Sequence, residues 1–174
     1  MEDLFIWYCT SARRKKEVPQ NENIWIRENF IFGNEIEGLN YDWLDYNYDE
    51  HGFPPNESLK LPKELYFIIQ GQTSLKFDFL PYRKNMFIIS ERFKSFISNQ
   101  LSNKKLEFSE LKTVHKDNES FCCDMKYYLL RIITFDDDSF DFIEEEKKRA
   151  IGLRGEFIYP NLKLKENINQ NLFF

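Results

Sequence analysis

A strand-rich α+β fold follows from three observations. Many short segments are either apolar or alternate apolar with polar residues, which is the period of a strand. Only one segment, about 91–102, places an apolar stripe at helical spacing behind a capping residue. Gly and Pro number 6 each and are scattered, so the elements are joined by turns rather than long linkers. The expected architecture is a mostly antiparallel sheet with that one amphipathic helix and a short second helix at about 144–151. At 174 residues the chain is expected to form a single domain, 1–174.

Taken in order, Leu4 to Thr10 is short and mostly apolar and predicts a first strand. Ser11 to Asn23 is a polar, basic loop. Ile24 to Phe32 alternates, with Ile24 and Ile26 on one side and Trp25 and Arg27 on the other, and predicts a second strand. An acidic, aromatic stretch follows over 33–58, with a strand expected within Tyr41 to Tyr48 and a turn at Gly52-Phe53-Pro54-Pro55. Leu65 to Gln70 is a buried strand. Leu75 to Leu80 alternates and predicts a strand ended by Pro81, and Asn85 to Ile89 predicts another. Ser90 then offers a hydroxyl to the first free N–H groups of a helix, and Glu91 suits its positive end. Phe93, Phe96, Ile97 and Leu101 form one apolar stripe along that helix. Leu106 to His115 and Lys126 to Phe135 predict two long strands, the second rich in aromatic and β-branched residues. Phe157 to Tyr159 and Leu162 to Leu164 predict two short ones.

The composition narrows the function. With 42% hydrophobic and 17% aromatic residues, the chain has ample material for a core. A net charge of −5 argues against a general nucleic-acid binder and against an anionic membrane as partner. No run approaches a membrane span, and the acidic start before Leu4 to Cys9 is the reverse of a signal peptide. The three cysteines, Cys9, Cys122 and Cys123, are a poor disulfide framework and point to reduced thiols. Together these features predict a cytoplasmic protein, and they are silent on its oligomeric state.

The motifs that carry chemistry fail on inspection. Asp136-Asp137-Asp138 with Asp141 suggests a cation loop, but the EF-hand position that requires Gly holds Asp141. His51 and His115 lack the close Cys or His neighbours of a zinc site, so no metal and no cofactor are expected. Ser90 at a strand-to-helix turn suggests a nucleophile elbow, but Ile88 and Arg92 stand where that turn needs glycines. Arg13-Arg14-Lys15-Lys16 lacks the interleaved aromatics of a nucleic-acid contact. No catalytic residue is assigned.

The charge, by contrast, is concentrated. Residues 33–58 hold seven acids and no base, and 135–146 hold seven more. These two stretches carry −14, which leaves the rest of the chain at +9. In the first, Tyr41, Trp43, Tyr46 and Tyr48 interleave with Asp42, Asp45, Asp49 and Glu50. Aromatic side chains supply contact area at protein interfaces, and carboxylates steer a basic partner. The bland alternative is a strand with its aromatics in the core and its acids merely solvated.

The order Ile88-Ile89-Ser90-Glu91-Arg92-Phe93, then Tyr127-Tyr128-Leu129-Leu130, then Asp136 to Asp138, resembles small bacterial immunity proteins of polymorphic toxin systems. The resemblance covers roughly residues 65–141. Such proteins often carry a further C-terminal strand and short helix, whereas this chain stops at Asn171-Leu172-Phe173-Phe174. The resemblance implies a non-enzymatic protein that neutralises a cognate toxin by covering its active site or a working surface. Where that toxin is a nuclease with a basic cleft, acidic residues would stand in for phosphate. On charge, the partner-binding candidates are Asp42, Trp43, Asp45, Tyr46, Asp49 and Glu50, then Asp136, Asp137 and Asp138. The competing readings are a hydrolase of unrecognised type, using Cys or acidic residues, and an adaptor domain that binds some other protein.

Overall fold

The computed structural model describes residues 17–29, 41–52, 54–72, 74–83, 85–100, 106–116, 125–133, 140–149, 157–158 and 162–165. The expected strand at Leu4 to Thr10 lies outside them, as do the basic cluster at 13–16 and Asp136 to Asp138. The chain forms two compact units, Met1–Ile133 and Thr134–Phe174.

The first unit is built on a six-stranded sheet. Its strands are β1 (Ile24–Arg27), β2 (Glu64–Ile69), β3 (Phe79–Arg83), β4 (Met86–Ser90), β5 (Leu106–His115) and β6 (Tyr127–Ile132), in the spatial order β1-β2-β5-β6-β4-β3. Neighbours pair antiparallel except β2 and β5, which run parallel, with Leu65 opposite Leu111 and Phe67 opposite Thr113. A parallel pair needs a long crossover. Here the crossover contains the β3–β4 hairpin and a helix.

Alternation along the strands sorts side chains to the two faces. One face carries Leu65, Phe67 and Ile69 of β2, Ile88 of β4, and Tyr127 and Leu129 of β6, all buried in one cluster. Residues outside the sheet close over it, among them Trp43, Leu61, Leu75 and Phe77. The other face meets the helix. Phe93 lies 5.5 Å from the Phe79 ring, and the Lys94 ammonium sits 3.7 Å over Tyr128.

That helix runs from Glu91 to Gln100, and residues 101–105 lie beyond the described part. It starts where the cap predicts: the Phe93 N–H donates to the Ser90 hydroxyl oxygen at 3.2 Å. Phe93 and Ile97 are buried, but Phe96 is 46% exposed, so the inward stripe is narrower than the sequence suggests. Residues three and four apart share a face only approximately, and Phe96 falls on its outer margin.

Two expectations for the first unit are corrected. Leu75 and Phe77 are buried and alternate, yet they lie in a connection crossing the core face, and β3 starts only at Phe79. Pro81 lies inside β3 rather than ending it. This strand is at the sheet edge and shifts register between Pro81 and Arg83, so the missing N–H breaks no ladder bond. Asn85, at φ 62°, takes the left-handed turn into β4. The strand expected within 41–48 is replaced by a 3-10 helix at Asp42–Leu44 and a short helix, α1, at Tyr48–His51. The inward side chains Trp43 and Tyr46 are three apart, a helical spacing. With α1 so placed, the helix after β4 is α2.

The second unit contains β7 (Phe140–Phe142), β8 (Lys148–Arg149), β9 (Phe157–Ile158) and β10 (Leu162–Leu164). β7 pairs with β10 and β8 with β9, both antiparallel. The helix expected at 144–151 is a 3-10 turn at Glu144–Glu146 followed by β8. An isolated helix of that length nucleates poorly, and three adjacent glutamates repel one another, so pairing with β9 wins.

Candidate functional site

The described part of the acidic, aromatic stretch, 41–52 and 54–58, is held against the sheet by Trp43 and Arg131. Trp43 is 1% exposed and packs in the core cluster, with its indole N–H donating to Glu28 at 2.9 Å. Of the aromatic candidates it is therefore an anchor beneath the loop, not a surface to meet a partner. Asp42, Asp45 and Glu50 are exposed. Asp49 lies in α1, with its side chain outside the described part. Asp136, Asp137 and Asp138 lie outside it altogether.

Arg131 is the residue that organises this loop. It stands on β6 amid Leu129, Leu130 and Ile132, is 1% exposed, and faces Glu107 across the β5–β6 pair. A buried charge must be fully paired. Here Nε donates to Glu107 Oε2 at 2.6 Å, and Nη2 completes the ion pair with the same carboxylate. Nη1 donates to the Trp43 carbonyl at 2.6 Å, and Nη2 also donates to the Leu59 carbonyl at 2.8 Å. The guanidinium carbon lies 4.5 Å from the centre of the Tyr46 ring.

Around that centre the loop is internally tied. The Tyr46 hydroxyl donates to the Gly52 carbonyl, and its ring stacks with His51 at 5.9 Å. His51 Nδ1 lies 3.1 Å from the Asn47 N–H and 3.0 Å from the Asn47 carbonyl. Gly52, at φ 67°, takes the left-handed conformation that ends α1, where a side chain would be strained. The 3-10 helices at Asp42–Leu44 and Glu57–Leu59 lie against each other, so the loop's two ends meet.

The Ser90 turn is structural. Its hydroxyl donates to Asp78 Oδ1 at 2.6 Å while accepting from Phe93, and Ser90 is wholly buried. Arg92 pairs with Asp78 and, together with the Ser90 bond, holds its carboxyl below the usual range. The histidines stand on different elements, His51 in α1 and His115 at the end of β5. Among the described residues, no group of three or more His, Cys, Asp or Glu could hold a metal ion. No helix among them is long and apolar enough to cross a membrane.

Neither Arg131 nor Glu107 is among the residues that the sequence singles out. The available signal was a lone arginine within the apolar run YYLLRIITF, where an ordinary solvent-facing charge would have sat on an alternating strand.

In comparisons with known proteins, a family model described as Immunity protein 43 matches residues 10–174. No curated protein and no solved structure matches the chain.

Proposed function

The chain belongs to the Immunity protein 43 family, and from that premise we propose that it binds its cognate bacterial toxin through the exposed carboxylates of the 41–51 loop. Asp42, Asp45 and Glu50, with Asp49 beside them, would meet a basic surface of the toxin and cover its active site or a surface it needs. Tyr46 would contribute ring edge beside them. A toxin whose cleft binds phosphate, such as a nuclease, fits this charge best, because carboxylates can replace the phosphates in its ion pairs. Asp136, Asp137 and Asp138 form a second candidate surface. The protein would act in the cytoplasm of the cell that makes the toxin.

One observation supports this reading: the described part of the acidic stretch, 41–52 and 54–58, which holds five of its seven acids and no base, is anchored to the sheet through Trp43 and Arg131. Ordered carboxylates cost less to bring into an interface than mobile ones. Co-expression with the toxin encoded by the neighbouring reading frame tests the function. Growth should be restored by this chain and not by a charge-reversed Asp42→Lys, Asp45→Lys, Glu50→Lys variant. Rescue that is equally good with the reversed variant would remove the loop from the binding surface.

A further inference from the structure

The geometry points to Arg131 as a positioning residue for toxin binding: one guanidinium closes the 43–59 loop and sets the shape in which that loop meets its partner. This rests on the loop being the contact surface. Arg131 is too deeply buried to touch a partner itself. Its nitrogens instead hold the backbone at both ends of the loop, at the Trp43 and Leu59 carbonyls, and its face lies against Tyr46 in between. The segment so enclosed presents Asp45, Glu50 and Glu57 to solvent.

The contact needs a planar fork. The guanidinium serves Glu107 and two carbonyls at once, in fixed directions, whereas a lysine ammonium offers a single point of charge. Arg131→Lys therefore keeps the charge opposite Glu107 but releases at least one end of the loop. Because the acids remain, electrostatic steering should persist, and the loss should fall on the lifetime of the complex.

The test uses the full chain and two readouts. In Arg131→Lys, amide hydrogen exchange within 43–59 should quicken by roughly tenfold or more while β2 and β6 stay protected. Binding to the product of the neighbouring reading frame should then dissociate roughly tenfold faster, with association and its salt dependence changed less than about twofold. Unchanged exchange in the loop overturns the positioning role whatever the binding shows. A loosened loop with unchanged association and dissociation instead overturns the loop as the contact surface. Uniformly faster exchange, in β2 and β6 as well, means that Arg131 serves the whole sheet and overturns the specific role. Should that variant fail to fold, Glu107→Gln carries the exchange test. It leaves the loop's own side chains intact and removes the carboxylate that fixes the guanidinium, and an unaltered loop in that variant contradicts the inference.

Discussion

Trp43 and Asp78 show how single side chains hold the fold. Trp43 sits in a run of acids that suggests surface, yet it is buried and hydrogen-bonded to Glu28. Replacing it by Ala removes a large core side chain, and chemical denaturation should register a loss of about 3–5 kcal/mol. Asp78 is tied to Ser90 and Arg92, and its pKa is lowered from 3.8, chiefly by the hydrogen bond from Arg92. A carboxyl lowered on folding stabilises fully above its unfolded value and loses that contribution as pH falls through its folded value. The stability gap between the native chain and Asp78→Asn should therefore be constant near neutrality and shrink as the pH drops below 3.8. A gap that stays constant to lower pH would mean that the Asp78 ion pair is not formed in solution. Ser90 as a cap was legible because the chemistry is local. Arg131 was not, because its partners Trp43, Leu59 and Glu107 are distant in sequence and only the folded sheet assembles them.

Among the elements, those with unbroken apolar runs were the most legible. β2, β4 and β6 lie where LYFII, MFII and YYLLRI predict them, since interior strands need apolar residues on both faces. Alternation alone misled. Leu75 and Phe77 point inward from a connection, and Trp43 from a 3-10 turn, because any extended or turning backbone can bury alternate or third residues. Of the expected α2 stripe, Phe93 and Ile97 are buried and Phe96 is exposed, while Leu101 lies outside the described residues. Phe93→Ala should cost about 3 kcal/mol, whereas Phe96→Ser should change stability by less than about 0.5 kcal/mol. Thermal melts of the two variants distinguish them, and a large loss at Phe96 would mean that its exposed ring is covered in solution.

At the scale of the molecule, the mostly antiparallel sheet of the described residues and its one long helix were predictable, but the parallel β2–β5 pair was not. Strand order depends on which apolar faces meet after the chain collapses, and no local signal encodes it. The charge asymmetry was legible at once: residues 33–58 and 135–146 carry −14, and the rest of the chain +9. Under the proposed function the first stretch would attract a basic surface of the toxin over long range, and salt should screen that attraction. Membership in the Immunity protein 43 family supports a toxin as the partner.

If the 41–51 carboxylates meet the toxin, association kinetics with the product of the neighbouring reading frame, measured across ionic strength, will show it. Asp42→Lys, Asp45→Lys, Glu50→Lys should slow association by about tenfold or more at low salt and flatten its salt dependence. An association rate and salt slope equal to those of the native chain would contradict that contact.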